Sequence, residues 1–222
     1  MADTQDNIVN SDNGHDGSIE KTKGRHPIHV LTIIGQIEGH SDAGSSMKTT
    51  KYEHVIPRLI DVEEDPEIKG LLVILNTVGG DVEAGLAISE LIHGMRKPTA
   101  SLVLGGGHSI GIPLAVSCDR SFIVPTATMT VHPVRHSGTV IGVNRTMDYL
   151  EAIQERITGF VAENSNISQK QFTKLMLRTG NLIMDVGTVL NGNQAVEEGI
   201  IDQIGYLKDA LEYIYSQIEK EK

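Results

Sequence analysis

The chain holds a single cysteine, Cys118, and no tryptophan. One thiol closes no intrachain disulfide and supplies no cysteine-type metal cluster. Cys118 ends an apolar run and reads as an inert core residue, which fits a cytoplasmic setting. Aromatic residues make up only 4% of the 222 residues, so Val, Ile, Leu and Gly must build the core. No run of about 18 apolar residues is present, so no membrane-spanning helix is expected. The segment Met1 to Ser18 has no apolar stretch of the secretory kind. Cations are also short, with 19 Lys and Arg against 29 Asp and Glu for a net charge of −10. With no basic stripe to offset that balance, a nucleic-acid partner is not expected.

What is present is an alternation of short β-branched runs and helical patterns. Residues 1–26 are polar and read as a disordered tail. Residues 27–205 carry the candidate domain, and 206–222 a C-terminal helix. Ile28 to Ile34 reads as a strand and Tyr52 to Ile60 as a helix containing Pro57. Leu71 to Leu75 is a continuous apolar run, the mark of a strand buried on both faces. A turn at Asn76 to Asp81 and a helix from Val82 to about Met95 follow. Ala100 to Leu104 is the next strand, then a glycine turn and a helix from Ile110 to Cys118. Short strands are expected at Ser121 to Val124 and Thr128 to Val131, and again at Ile200-Ile201. The stretch His136 to Val143 reads as a mobile excursion. Asn144 is placed as the cap of a long helix, Ser168 and Gln171 as a capping box, and Gly199 as the end of a short helix. Strands and helices in this alternation predict an α/β fold with largely parallel pairing in one domain. Two successive strands each end in a glycine-rich turn before a helix. Right-handed crossovers bring both turns to one sheet edge, so Gly79-Gly80 and Gly107 to Ser109 should face each other.

The turn Gly105-Gly106-Gly107-His108-Ser109 presents a hydroxyl at a strand-to-helix junction, the placement a nucleophile needs. Such turns also cradle phosphates or serve as plain connections, so the turn alone does not decide. A serine nucleophile needs a base. Among nine histidines, His132 stands at a strand end before Pro133 and is the first candidate, with His136 second. His108, next to Ser109 in sequence, should point away from it, and His93 should lie on a solvated helix face. Backbone N–H groups of Gly80 and Ile110 are placed to form an oxyanion hole. Gly107-His108-Ser109-Ile110-Gly111 also matches the nucleophile elbow of α/β-hydrolases. That fold orders its triad serine, acid, histidine, and no histidine lies beyond His136, so the order excludes it.

Four blocks in register carry a resemblance. They are Asn76 to Gly85, Gly107 to Gly111, Met129 to Pro133 and Gln194 to Asp202. Over roughly Ile28 to Gly205 the chain resembles the proteolytic subunit of the Clp protease family (ClpP), and within it a divergent, translocation-enhancing branch. The resemblance implies a fold of stacked ββα units of the ClpP/crotonase type. It further implies a serine endopeptidase acting through an acyl-enzyme on peptides or unfolded chains. Ser109 would be the nucleophile, His132 the base, and Gly80 and Ile110 the oxyanion donors. A homo-oligomeric ring is implied, with the long helix after Asn144 as its stacking element. No metal, nucleotide or other cofactor is implied for this subunit. The family's third triad position falls on Gly187, and the nearest acid is Asp185, taken here as the third candidate. The usual Ser-Pro-Gly-Gly is replaced by Thr77-Val78-Gly79-Gly80, and Ile110 stands where a methionine is usual. A polar tail stands in place of the segment that meets an ATPase unfoldase, so that partner is not expected. Two other functional classes stay open: a crotonase-type acyl-CoA enzyme and a non-catalytic scaffold assisting protein translocation.

Overall fold

The computed structural model describes residues 21–220 apart from 42, 45, 137–141, 183 and 184; of 181, 182 and 185 it describes the backbone alone. The expected disordered tail over 1–20 and the tip of the His136 to Val143 excursion lie outside the described residues. In chain order the elements are β1 (His29–Glu38), β2 (Thr49–Lys51), α1 (Tyr52–Glu64), β3 (Leu71–Gly80), α2 (Val82–His93), β4 (Thr99–Gly107), α3 (Gly111–Val116), β5 (Arg120–Ile123) and β6 (Thr128–Val131). They continue as α4 (Val143–Glu163), α5 (Gln169–Met176), β7 (Thr179–Leu182), β8 (Asp185–Val186), β9 (Thr188–Asn191), α6 (Gly192–Glu197), β10 (Gln203–Ile204) and α7 (Leu207–Lys220).

The main sheet runs β10-β5-β4-β3-β1-β2, with every neighbouring pair parallel. Parallel strands need covered faces, which is why the central runs are apolar throughout rather than alternating. Leu71, Leu72, Val73 and Leu75 of β3 and Leu102 and Val103 of β4 are all buried. Ile88 and Ile92 of α2 and Ala210, Ile214 and Ile218 of α7 are buried with them in one continuous core. Cys118 is buried there too, and that burial pushes its thiol pKa up. The architecture is α/β in a single domain on a mostly parallel sheet, as the alternation predicts.

A second, smaller layer diverges from the end of β4. Gly106 pairs with Thr128 of β6, and β6 pairs antiparallel with β9, Val131 standing opposite Thr188. β7 and β8 form a separate two-stranded ribbon. The β3–β4 register shifts between Leu75 and Thr77. There the Asn76 amide oxygen accepts from the Gly106 N–H at 2.9 Å, and a Cβ on Gly105 would collide with that side chain.

Several local expectations change. Asn76 to Gly80 is strand rather than turn, because β1 continues to Glu38 and pairs with it through Ile37. The helix after Ser109 is only six residues, Gly111–Val116. Asn144 does not cap α4; Gly142, in the left-handed region, holds that position, and α4 begins at Val143. Ser168 accepts from the Gln171 N–H, but the Gln171 side chain reaches Glu198 instead of closing the box. A complete capping box occurs at Asn191 and Gln194. The strand expected at Ile200-Ile201 forms at Gln203–Ile204, leaving both isoleucines as core. Within residues expected as tail, Arg25 pairs with Glu212 at 3.0 Å and lies 4.7 Å from the Tyr215 ring centre, against α7.

Ile33 is fully buried at the centre of β1. Ile33→Ala should destabilise the fold by about 2–5 kcal/mol, transfer loss and cavity combined. Urea unfolding should report this as a lower midpoint with unchanged slope.

Candidate active site

The turn that carries Ser109 is built by close backbone approach. Gly79, at φ 87°, lies so near the turn that a Cβ there would stand 2.7 Å from Ser109 Cβ and 2.8 Å from the His108 carbonyl oxygen. A Cβ on Gly80 would collide with the Ile37 carbonyl, and one on Gly85 with the Ile110 side chain. The glycine end of β3 and the Ser109 turn therefore touch, a tighter arrangement than facing across a crevice. Thr77 locks the β3 side: its hydroxyl donates to the Gly35 carbonyl at 2.6 Å and accepts from the Gly79 N–H at 3.0 Å. Ser109 itself sits at φ 57°, alone among the described non-glycine residues in having a positive φ. A left-handed L-residue costs about 1–2 kcal/mol, a strain characteristic of functional turns.

Ser109, His132, Gly80 and Ile110 line one cavity of about 240 Å³. Its walls are otherwise largely apolar: Val82, Ile112, Ile157, Phe172 and Met176, with Arg135 beside them. The structure thus brings four of the five sequence-predicted site residues together. The N–H groups flanking Ile110 are engaged, Ser109 donating to the Thr130 carbonyl at 2.9 Å and Gly111 to the His108 carbonyl at 2.9 Å. Among the described residues the turn's backbone bonds do not include the Ile110 N–H. That leaves it available to a developing oxyanion. The six-residue α3 adds little dipole of its own, so this hole depends on individual N–H groups.

His132 Nδ1 lies 2.7 Å from the Pro133 carbonyl oxygen. A carbonyl can only accept, so Nδ1 carries the proton and Nε2 of the neutral ring keeps its lone pair. This is the tautomer a general base requires. The contact that holds Nδ1 here is thus a backbone carbonyl. Val131 pairs with Thr188 across the antiparallel β6–β9 ladder, the last pair before His132 on one strand and just after Gly187 on the other. The Thr188 hydroxyl is spent on the Leu175 carbonyl at 2.7 Å. Asp185 lies two residues before Gly187, in β8, where its backbone pairs with Leu182; its side chain is outside the described set. His136 is exposed and is absent from the cavity wall. His93 is exposed at the end of α2, edge-on to Phe160.

Sequence reasoning missed the Pro133 carbonyl, the Thr77 hydroxyl and the wall from α4 and α5. No local pattern announces a backbone acceptor, and Ile157, Phe172 and Met176 carry only the signal of ordinary helix-core positions. A larger groove, about 750 Å³, lies elsewhere between α2 and α4, bordered by Glu83, Glu90, Glu155, Glu163 and Arg156. It contains no nucleophile beside a base. No cluster of three or more metal-ligating side chains occurs among the described residues.

The α/β core thus places Ser109 and His132 on the wall of one cleft, beside two glycine segments in contact. The Clp protease family model matches residues 29–207, and the chain belongs to that family. It is 54% identical over 195 residues to the translocation-enhancing protein TepA of Halalkalibacterium halodurans, covering 88% of this chain and 76% of that protein. An ATP-dependent Clp protease proteolytic subunit of Lactococcus lactis is 27% identical over 157 residues, 68% of this chain and 74% of that protein. A putative signal peptide peptidase SppA of Enterococcus faecium is 24% identical over 235 residues, 92% of this chain and 66% of that protein.

The ring geometry of His132 is directly measurable. Nitrogen-15 NMR of the labelled protein above the imidazole titration should show His132 with Nδ1 protonated and Nε2 free. An Nε2–H signature would remove the Pro133 contact from the account.

Proposed function

We propose that the chain is a serine endopeptidase of the ClpP type. The observation that carries this reading is the shared cavity of Ser109 and His132, with His132 held in the basic tautomer. In this mechanism Ser109 Oγ attacks a peptide carbonyl while His132 Nε2 takes its proton. The Gly80 and Ile110 N–H groups receive the oxyanion. His132 then returns the proton to the leaving amine, and water repeats the sequence on the acyl-enzyme. Asp185 is proposed as the third member, taking the Nδ1–H in the reacting state.

Assembly into a homo-oligomeric ring belongs to the same proposal. It is supported by α4, whose residues from Val143 to Ala152 include no buried side chain, although Val143, Met147 and Tyr149 are large and apolar. Three helical turns of that kind ask for a partner, and another copy of the chain supplies it. Enclosure in such a ring restricts substrates to peptides and unfolded chains, in a cytoplasmic setting and without an ATPase partner. No helix among the described residues is long and apolar enough to cross a membrane.

One observation favours a second reading. The 54% identical relative is named for enhancing translocation rather than for proteolysis, which suits a scaffold. The crotonase-type alternative is less well supported, because Arg135 is the single cation on a mainly apolar wall.

A fluorophosphonate probe applied to the full chain should modify Ser109, and Ser109→Ala should abolish the labelling. An unlabelled wild type would overturn the peptidase reading. If Ser109→Ala leaves cellular function intact while labelling is lost, the scaffold reading stands instead. Asp185→Asn should slow labelling on the order of 10²–10⁴-fold, the loss typical when an orienting acid is removed. A loss below about threefold would leave the Pro133 carbonyl as the sole orienter.

A further inference from the structure

Ser109 and His132 belong to different layers of the molecule. Ser109 follows β4 of the main sheet, and His132 ends β6 of the smaller one. A reaction between them requires those layers to be held in register to a few tenths of an ångström. The left-handed backbone at Ser109 must also be held, since it is not the residue's own preference.

The ties across this junction converge on Thr130, two residues before His132. Its carbonyl accepts from the Ser109 N–H at 2.9 Å. Its hydroxyl lies 2.9 Å from His108 Nδ1. The other end of that ring packs on Gly106, where a Cβ would stand 2.6 Å from His108 Nε2. Gly106 is in turn the β4 residue that pairs with β6, at Thr128. The His108 N–H donates to the Thr77 carbonyl at 3.2 Å. The imidazole is therefore wedged between the last turn of β4 and the strand that delivers the base.

Resting on the reading of Ser109 as nucleophile, we propose that His108 is a positioning residue that, through Thr130, sets Ser109 against His132. The ring is not a second base. It is half-buried, its Nδ1 is committed to Thr130, and burial, followed by the charge of His132, lowers its pKa from 6.5. Both effects oppose a second cation beside a protonated His132. Neutrality of the His108 ring also favours the fold. A lowered folded pKa means that this contribution is whole above about pH 6.5 and is lost as pH falls through the folded value.

The test uses the full-length chain and fluorophosphonate labelling, with the limiting rate separated from apparent probe affinity. His108→Ala should lower the limiting rate about 10–100-fold, the cost of an ångström-scale misplacement, with affinity changed less than about threefold. His108→Asn, whose amide can still bridge to the Thr130 hydroxyl, should recover most of the rate. Thr130→Val should match His108→Ala, and the double variant should be no slower than either single. Wild-type rates in folded His108→Ala would overturn the proposal, and so would multiplying losses in the double variant. A further measurement does not depend on chemistry. Hydrogen exchange at the Ser109 amide should accelerate in His108→Ala and stay protected in His108→Asn. If the wild type fails to label but exchange behaves this way, the nucleophile reading falls and the clamp stands. Unchanged exchange in His108→Ala sinks the clamp whatever the labelling shows.

Discussion

Backbone contact between the end of β3 and the Ser109 turn is the constraint on which the candidate site depends. With Gly79 packed on Ser109, neither residue can move without the other. That proximity explains why the local sequence is so poor in side chains. Gly79, Gly80, Gly85, Gly105, Gly106 and Gly111 each face an atom that a Cβ would meet at under 3 Å. Close packing without side chains makes the turn stiff, because there are no rotamers to adjust. The same packing lets Ser109 hold a left-handed conformation that an open loop would release.

Around this contact the molecule uses hydrogen bonds economically. Thr77 spends one hydroxyl on two strands, donating to Gly35 and accepting from Gly79. Thr130 spends its carbonyl and its hydroxyl on two consecutive residues of the turn. Both are half-buried or buried positions, where a hydrogen bond left unmade costs more than one made returns. The polar groups of the site are thus tied mainly to backbone. Side chains at the site can vary more freely than backbone geometry, as Val78 and Ile110 illustrate. Both line the same cavity as Ser109 and His132.

Much of the fold was legible because parallel strands demand coverage on both faces. Leu71 to Leu75 and Ala100 to Leu104 could hardly be anything but central strands, and the two glycine turns had to share an edge. Element ends were less legible. Asn76 to Gly80 looks like a turn by composition but is held as strand by β1, a tertiary pairing with no local signal. Asn144 is a good cap by residue type, yet the backbone bend falls at Gly142, where φ is 76°. For the candidate site, the placement of Ser109, His132, Gly80 and Ile110 around one cavity was readable from order and spacing. The Pro133 carbonyl contact to His132 was not, since sequence reasoning looks for an acid and a carbonyl belongs to every residue. Nor was His108 readable as more than a neighbour, because its partner lies 22 residues away on another strand.

The lone cysteine bears on how the chemistry of this chain can be watched. Cys118 lies buried behind the sheet, and its thiolate is disfavoured there. Soft electrophiles, which in most proteins find a thiol first, find none to react with in the folded chain. A thiol introduced on the exposed half of α4 would carry a dye or spin label at one known place. The Ser109 hydroxyl can then be addressed separately, so the proposed reaction and the proposed assembly can be tested on the same molecule by two reagents that do not compete.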